Sequence, residues 1–344
     1  MSADRCIREV LEERERKLLA PYACLSSESR GRAVPEAEDP NRMIFQRDRD
    51  RILHTKAFRR LKRKTQVFLA PQGDHYRTRL THTLEVAQIA RTIARALFLN
   101  EDLTEAIALG HDLGHTPFGH AGEVVLNEVY APGFKHAEQS LRVVDKIEKR
   151  AGGRGLNLSH EVRDGILHHS AGKVLLLDQP VEAPATLEGV VVSVSDAIAY
   201  ISHDLDDALR AGLITERDLP GDAVRMLGET TSNRIDRMVV GVIEGSGDGK
   251  LGISPDVRVA MNILRNYLYS QIYPCAAIEQ EIGKARNVAR EVYYHLLSQP
   301  VAEIIEGDPS DDLDRRTVDF VAGMTDEYVL EMFKDLFLPA PWKR

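Results

Sequence analysis

Apolar residues recur every three or four positions along most of this 344-residue chain. That spacing places the apolar side chains on one face of a helix, which is the pattern of an amphipathic α-helix. The clearest example lies between residues 84 and 97, where Leu, Ala and Ile repeat in this way. The same pattern predicts further helices over residues 102–110, 122–130, 137–150, 160–169, 187–210, 257–272, 275–298 and 311–337.

Between the helical segments, glycine and proline interrupt the pattern and predict loops. A run of β-branched residues from Val190 to Val194 could instead form a buried strand. This run continues without a break into a helical pattern, so we interpret it as part of a buried helix. The predicted loops cover residues 21–41, 70–78, 151–157, 172–186 and 245–256.

These elements predict an all-α protein, because no segment shows the regular apolar–polar alternation of a half-buried strand. We expect one large helical bundle with additional helices at its C-terminal end. The predicted organisation is an N-terminal segment over residues 1–40, a core bundle over 41–215, and a C-terminal helical region over 216–344 that packs on the core.

The composition is typical of a folded, soluble protein. Hydrophobic residues make up 43% and charged residues 28% of the chain, which excludes global disorder. No apolar run approaches the roughly 18 residues that a membrane span requires, and the N-terminus lacks the apolar segment of a signal peptide. The three cysteines are far apart in the sequence. We therefore expect a cytoplasmic location and no membrane partner.

The formal net charge of −8 argues against a general nucleic-acid coat protein. Between Arg42 and Lys64, however, there are ten Arg or Lys residues and only two Asp. A basic segment in an acidic chain indicates a focused anionic ligand. A solvated helix face explains the same charges equally well at this stage.

Histidines are concentrated in one part of the chain. Nine of the twelve lie between residues 75 and 169. A single histidine on an apolar helix face is usually a hydrogen-bonded core residue, whereas a cluster accompanied by carboxylates is typical of a chemical site. Three places combine these residue types: Arg79-x-x-His82-x-x-Glu85, His111-Asp112, and Asp196, which interrupts an apolar helical segment.

This combination predicts a metal site. A buried carboxylate such as Asp196 is costly unless it is paired or bound to a metal. Together with Asp112, His82 and His111 it forms a mixed nitrogen and oxygen ligand set. Such a set suits Mn, Fe, Co, Ni or Zn, and Mg less well. A metal with open positions is typical of a catalytic site, where it activates water or polarises a phosphoryl oxygen.

The segments around these residues resemble the HD-domain family of deoxyguanosine triphosphate triphosphohydrolases and their relatives. The resemblance extends over about residues 40 to 330, nearly the whole chain, and its five motifs occur in the order of the family. The motifs are RDRDRILHTKAFRRLKRKTQVF at 47–68, GHDLGHTPFGHAGE at 110–123, LNLSHEVRDGILHHS at 156–170, SDAIAYISHDLDDA at 195–208 and VDFVAGMTDEY at 318–328.

The resemblance implies that the core bundle is an HD-domain catalytic core and that His82, His111, Asp112 and Asp196 hold one divalent metal per site. Mn²⁺ is the expected ion, and Mg²⁺, Co²⁺, Ni²⁺, Fe²⁺ and Zn²⁺ are alternatives. The family hydrolyses deoxynucleoside triphosphates at the 5′ oxygen, which releases a deoxynucleoside and intact triphosphate.

The resemblance also implies an acid and its partner. His120 matches the catalytic histidine of the family, and Glu123, one helical turn later, can orient its imidazole ring. A histidine with a carboxylate is a common proton-transfer pair. His115 and His136 match positions that contact phosphates or complete the acid network in relatives.

Further residues are expected to bind the substrate. Tyr200 and Asp204 follow Asp196 at intervals of four, and in relatives the tyrosine packs on the deoxyribose while the aspartate binds its 3′-hydroxyl. A tyrosine ring over C2′ leaves no room for a ribose 2′-hydroxyl.

Basic and amide side chains are expected at the other parts of the nucleotide. Arg79 lies one turn before His82 and can reach the phosphates through its planar guanidinium. Lys64 is expected to help neutralise the phosphates, and Gln66 to contact a base edge.

The sequence departs from many relatives at Ala197, where they have an acidic residue after the metal-binding aspartate.

Two alternatives remain open beside the triphosphohydrolase. One is another HD phosphohydrolase, such as a 5′-nucleotidase or a cyclic-nucleotide phosphodiesterase, and the other is a weakly catalytic regulator that binds nucleotides or single-stranded DNA. Family analogy further predicts a homo-oligomer, a hexamer or tetramer, with deoxynucleoside triphosphates as substrate and activator.

Overall fold

Helices form nearly all of the regular structure. The computed structural model of the chain describes residues 6–66, 77–150, 152–172, 175–176 and 182–339. Within these ranges there are 16 α-helices, and the only strands are the two-residue β1 (Lys149–Arg150) and β2 (Gly153–Arg154), which pair antiparallel. The prediction of an all-α fold is confirmed.

In chain order the helices are α1 (Ile7–Leu18), α2 (Ile44–Leu53), α3 (Lys56–Arg60), α4 (Arg79–Ala96), α5 (Glu101–Gly110), α6 (His120–Val129), α7 (His136–Arg142), α8 (His160–His168), α9 (Leu187–Arg210), α10 (Gly221–Leu227), α11 (Thr231–Gly245), α12 (Pro255–Tyr267), α13 (Ala276–Ser298), α14 (Ala302–Ile305), α15 (Leu313–Ala322) and α16 (Asp326–Phe337).

Several helices begin where a side chain can cap the first turn. The side chains of Thr78, Asn100 and Thr186 accept hydrogen bonds from backbone N–H groups at the start of α4, α5 and α9. Such caps satisfy donors that would otherwise have no partner at a helix end. His82 lies on α4, Asp196 lies on α9, and His111 and Asp112 directly follow α5, so the caps help to fix where the ligand-bearing segments begin.

The β-branched run from Val190 to Val194 lies inside α9, and three of its valines are buried. This confirms that the run is helical. The predicted helix over 137–150 is too long: α7 ends at Arg142, a π-helical turn covers Val143–Ile147, and β1 follows. The predicted segment 311–337 is two helices, because the chain turns between Ala322 and Asp326.

The apolar residues form two clusters. The larger one joins α2, α4, α5, α8 and α9 with α10, α11 and α12. The smaller one joins α6 with α13, α15 and α16. The helices after residue 216 therefore pack in two places. Helices α10 to α12 join the main core, and α13, α15 and α16 cover α6. The predicted division at residues 40 and 215 stays a prediction.

Among the described residues no helix is long and apolar enough to span a membrane.

Gly114 allows the loop after α5 to lie directly against α7. A Cβ at this position would overlap the backbone nitrogen of Ser140 and the carbonyl carbon of Gln139. The Gly114 N–H also donates to the Ser140 hydroxyl at 2.9 Å. Neither backbone atom can move without displacing α7. The glycine is therefore required by close approach of the backbone, not by an unusual φ.

We expect Gly114→Ala to lower the free energy of unfolding by about 1–3 kcal/mol, the range for overpacking a close contact. Chemical denaturation of the purified protein measures this change. Gly283→Ala is the matched control, because a Cβ at Gly283 in α13 meets nothing within 4 Å. Equal stability of the Gly114→Ala variant and the wild type would show that the loop can move away from α7.

Candidate metal centre

His111 is the first ligand candidate, and it follows α5 directly. Its side chain is fully buried, and its Nδ1 lies 2.6 Å from the carbonyl oxygen of Ala108. Because a carbonyl oxygen only accepts, Nδ1 carries the hydrogen and Nε2 carries the lone pair. Nε2 is buried and has no hydrogen-bond partner in the described part of the chain. It lies 3.5 Å from Oδ1 of Asp112 and 3.9 Å from Oδ1 of Asp196.

His82 and Asp196 complete the group from two packed helices. His82 belongs to α4 and Asp196 to α9, and Nε2 of the histidine lies 3.0 Å from Oδ1 of the aspartate. Burial opposes ionisation of Asp196, but the hydrogen bond and charge of His82 outweigh it and lower the pKa of Asp196 to about 2. The carboxylate is therefore ionised at neutral pH.

These residues fit a divalent metal. One nitrogen or oxygen atom from each of His82, His111 and Asp196 lies within 4.8 Å of the others, and Asp112 is adjacent through its contact with His111. The unpartnered lone pair on His111 Nε2 faces two carboxylates, and a buried acceptor in such surroundings is explained by a cation. Two imidazoles and two carboxylates suit a borderline metal ion. The structure brings all four predicted ligands together.

Arg79 holds Asp112 in its ionised form. Its Nη1 donates to Oδ2 of Asp112 at 2.8 Å, and its Nη2 donates to the backbone oxygen of Gln66 at 3.1 Å. Burial alone would raise the pKa of Asp112, but the neighbouring His111 and the guanidinium of Arg79 outweigh it and keep that pKa well below its ordinary value. Both partners of the ion pair are buried.

A chain of histidines and one glutamate lies beside the four candidate ligands His82, His111, Asp112 and Asp196, which we call the metal group. Oε2 of Glu123 lies 3.1 Å from Nδ1 of His120, and Oε1 lies 2.8 Å from Nδ1 of His136. Burial opposes the charge of Glu123, but these hydrogen bonds lower its pKa well below the ordinary range. The side chain of His120 is 73% exposed, so its ring is open to a ligand.

His115 connects the metal group to the histidines that contact Glu123. Its ring stacks on that of His136, with centroids 4.2 Å apart, and its Nε2 lies 3.8 Å from Oδ1 of Asp112. Burial and the nearby charge of Arg79 lower the pKa of His115 well below its ordinary value, so the ring is neutral. The predicted residues His115, His120, Glu123 and His136 are thus in mutual contact.

His169 was not among the predicted site residues, although it lies in the LNLSHEVRDGILHHS motif. It follows α8, and its Nδ1 lies 2.7 Å from the carbonyl oxygen of Ile166. Its Nε2 lies 3.1 Å from Nε2 of His136, and its ring centroid lies 5.0 Å from that of His111. Burial and the neighbouring His111 and His136 lower the pKa of His169 to about 3. Only the fold shows which histidine of the pair faces inward.

Tyr200 and Asp204 lie along α9 at the intervals from Asp196 that the sequence gives. Tyr200 and Asp204 follow Asp196 on this helix, and the ring of Tyr200 packs against the main apolar core. The carboxylate of Asp204 is buried and accepts a hydrogen bond from the hydroxyl of Tyr273 at 2.5 Å. Burial raises the pKa of Asp204 to about 7. Tyr273, on a segment distant in sequence, was not predicted.

Lys64 and Gln66 are both buried. The ammonium group of Lys64 donates to the backbone oxygens of His115 and Ala322, and burial lowers its pKa to about 7. These contacts hold the loop before α6 against α15, a structural role that the sequence did not indicate. Oε1 of Gln66 has no hydrogen-bond partner among the residues that are described. The predicted contacts of both residues with a substrate stay predictions.

The part of the basic segment that lies on α2 is neutralised within the protein. Arg49 contacts Asp102 and Glu105, and Arg51 contacts Glu36. The charges on α2 are therefore ion-paired, and they give no support to a ligand at this helix.

The arrangement defines an HD-domain hydrolase. The HD domain matches residues 79–201, and the phosphohydrolase-associated domain matches residues 251–335. The chain is 52% identical to a deoxyguanosinetriphosphate triphosphohydrolase-like protein of Caldanaerobacter subterraneus subsp. tengcongensis, over 98% of this chain and 97% of that protein. A protein of the same description from Desulfatibacillum aliphaticivorans is 48% identical, over 97% and 99% of the two chains.

The chain belongs to the family of deoxyguanosinetriphosphate triphosphohydrolase-like proteins. A similar fold occurs in the crystal structure of a hypothetical protein from Aquifex aeolicus, with a TM-score of 0.50 and 21% sequence identity. That alignment covers 85% of this chain and 68% of the Aquifex chain, and it supports the fold alone.

The raised pKa of Asp204 predicts a pH-dependent stability. The carboxyl group of Asp204 binds its proton more tightly in the folded protein than in the unfolded chain, where aspartates titrate near pH 4. The stabilisation is therefore complete below about pH 4 and is lost as the pH rises through about 7. Asp204→Asn cannot ionise, so we expect its melting temperature to fall less than that of the wild type between pH 5 and pH 8.

The exposed Asp236 provides the control, because Asp236→Asn should leave the pH dependence of the melting temperature unchanged. Parallel curves for wild type and Asp204→Asn would contradict a raised pKa at Asp204.

Proposed function

We propose that this protein is a metal-dependent triphosphohydrolase that cleaves deoxynucleoside triphosphates into deoxynucleoside and inorganic triphosphate. The observation that supports it best is the contact of a four-residue metal group with a histidine–glutamate pair, His120 and Glu123, through the ring of His115. The close relatives carry a name that refers to this reaction and match the chain almost end to end.

In this proposal His82, His111, Asp112 and Asp196 hold the metal, with Mn²⁺ the expected ion and Mg²⁺, Co²⁺, Ni²⁺, Fe²⁺ and Zn²⁺ as alternatives. A bound divalent ion supplies a Lewis acid for a phosphoryl oxygen. The protein's own contribution begins with the two aspartates, which stay ionised because of His82 and Arg79. The side chain of Asp196 is 27% exposed, so a phosphate can approach the group from that side.

His120 is the proposed general acid. Glu123 binds its Nδ1 and leaves Nε2 to give a proton to the 5′ oxygen, which is a poor leaving group as an alkoxide. The carboxylate of Glu123 also stabilises the protonated imidazole, since its own pKa is held low. The exposure of the His120 ring is consistent with a group that must meet a substrate.

The remaining predicted residues are assigned to the substrate. Arg79, which pairs with Asp112, is proposed to contact a phosphate, and His115 and His136, whose rings stack, are proposed to contact phosphates or to complete the acid network. Tyr200 and Asp204 are proposed to contact the deoxyribose, and Lys64 and Gln66 are the proposed contacts for phosphate and base. These assignments rest on the family resemblance together with the positions described above.

Two alternatives differ in product and turnover. Another HD phosphohydrolase would release orthophosphate, pyrophosphate or a cyclic-nucleotide product, and a regulator would bind nucleotide or single-stranded DNA with little turnover. The complete metal group and the intact His120–Glu123 pair favour the enzyme over the regulator.

We further propose a cytoplasmic homo-oligomer, a hexamer or tetramer, that deoxynucleoside triphosphates activate. Light scattering with and without nucleotide tests this assembly.

Product analysis tests the function. The protein is incubated with Mn²⁺ and each deoxynucleoside triphosphate, singly and as a mixture of four, and tripolyphosphate and deoxynucleoside are quantified. Tripolyphosphate as the product supports the proposal, and turnover only in the mixture supports nucleotide activation. Orthophosphate or pyrophosphate would mean that a different bond is cleaved, and tight nucleotide binding without product would favour the regulator.

Asp196→Ala should lower the bound Mn²⁺ by at least one ion per chain and abolish turnover. The substitution removes a carboxylate that faces both His82 and His111. Mass spectrometry of the desalted protein measures the metal content. Asp236→Ala is the control at an exposed position. Unchanged metal content in Asp196→Ala would exclude this residue as a ligand.

His120→Ala should reduce kcat by about 10²–10⁴, the usual contribution of a general acid, while the Mn²⁺ content stays that of the wild type. The ring is exposed and its loss leaves the metal group intact. His54→Ala, at another exposed histidine, should keep full activity. Full activity of a metal-loaded His120→Ala protein would refute the general-acid assignment.

A further inference from the structure

The turn that leads into α6 has an unusual backbone. Phe118 and Gly119 have φ angles of 60° and 56°, which lie in the left-handed region. Glycine adopts this region easily, whereas a bulky residue such as phenylalanine does so only where its surroundings enforce it. His120, the proposed acid, is the next residue and the first of α6. The place of its ring therefore depends on the contacts that hold the turn at Phe118.

Two contacts from the C-terminal region hold this turn. The side chain of Phe118 is buried in the smaller apolar cluster, together with residues of α13, α15 and α16. The backbone N–H of Phe118 donates to Oδ1 of Asp326 at 2.9 Å. The first contact gives a reason for phenylalanine at a position whose backbone would suit glycine. The second contact fixes the direction of the backbone N–H.

The same carboxylate binds a second segment of the chain. Oδ2 of Asp326 accepts a hydrogen bond from the backbone N–H of Thr65 at 2.8 Å. The backbone oxygen of the next residue, Gln66, accepts from Nη2 of Arg79. A Cβ on Gly119 would lie only 2.9 Å from that nitrogen and 3.1 Å from that oxygen. The turn before α6 and the segment after Thr65 are therefore in close contact, and Asp326 binds both of them.

Asp326 is itself held firmly. It is the first residue of α16, and the hydroxyl of Thr325 caps this helix by accepting the backbone N–H of Tyr328. Val329, in the same turn, is fully buried in the smaller apolar cluster. A carboxylate at the start of a helix is also stabilised by the free N–H groups there. The two oxygens of Asp326 are thus fixed to an element that packs on α6 from outside the HD domain.

We propose that Asp326 is a positioning residue for the proposed acid. Its two oxygens hold the turn at Phe118 and the segment at Thr65, and they thereby set where the ring of His120 stands relative to the metal group. The inference rests on the proposed function for the role of His120. It also gives a purpose to the VDFVAGMTDEY motif at residues 318–328, which contains Asp326 and to which the proposed reaction assigns no residue.

Asp326→Asn tests this role with a small change in shape. An amide has one accepting oxygen, and its NH₂ group would face a backbone N–H, so either Thr65 or Phe118 loses its acceptor. A displacement of about 1 Å in a catalytic group can cost about 10²-fold in rate, so we expect kcat to fall roughly 10- to 100-fold. KM should change little, because the acid acts in the transition state. The Mn²⁺ content should stay that of the wild type.

A double-mutant cycle separates positioning from a general structural role. kcat is measured for the wild type, Asp326→Asn, His120→Ala and the double variant. If Asp326 acts through His120, Asp326→Asn should change kcat by less than about twofold in the His120→Ala background. Equal fold losses in both backgrounds, or loss of Mn²⁺ from Asp326→Asn, would overturn the proposal.

Glu327→Gln is the matched control, because it makes the same chemical change one residue further along α16. Glu327 pairs with Arg63 at the surface, where both side chains are mostly exposed, so the variant should keep the kcat of the wild type. Circular dichroism verifies each fold. If Asp326→Asn does not fold, Asp326→Glu takes its place in the cycle under the same criterion, since it keeps both oxygens but moves them by one methylene.

Hydrogen–deuterium exchange tests the contact without nucleotide and so separates it from the proposed reaction. Peptides that contain Thr65 or Phe118 should exchange faster in Asp326→Asn than in the wild type or Glu327→Gln, and unchanged exchange would refute the contact. Faster exchange in a protein that forms no tripolyphosphate would support the hold on the turn and refute the proposed function. Tripolyphosphate formation with an unchanged kcat in Asp326→Asn would support the function and refute the positioning role.

Discussion

The buried ion pair between Arg79 and Asp112 is the interaction on which the site depends. Both side chains are almost completely inaccessible, and an unpaired charge in such surroundings would cost several kcal/mol. The pair joins the first turn of α4 to the segment that follows α5. His82 lies one turn after Arg79, and His111 immediately precedes Asp112. The same contact that compensates a buried charge therefore brings the two histidine ligands toward Asp196 on α9.

The last helices of the chain contribute to this site from outside the HD domain. They cover α6 with a separate apolar cluster, and the carboxylate of Asp326 accepts hydrogen bonds from the backbone N–H groups of Thr65 and Phe118. Lys64 adds a bond to the backbone of Ala322. These contacts fix the loop before α6, which presents His120. The match of the phosphohydrolase-associated domain to residues 251–335 thus has a physical meaning, because that region supports the proposed acid.

Local patterns predicted the parts of the fold that depend on local forces. Helical periodicity identified α9 despite its β-branched run, and the histidine–carboxylate motifs identified four ligand candidates that the structure brings together. The sequence could not show that the helix after His136 changes to a π-helical turn at Val143, since such a turn depends on packing. It also could not place His169 or Lys64, because their partners are ring and backbone atoms far away in the chain.

Glu123 connects the exposed ring of the proposed acid, His120, to the more buried ring of His136. Its two oxygens bind His120 and His136 separately, so the charge of one carboxylate is shared between the two rings. The carboxylate that orients the proposed acid therefore also binds a histidine beside the metal group, so the two parts of the site are linked through one side chain.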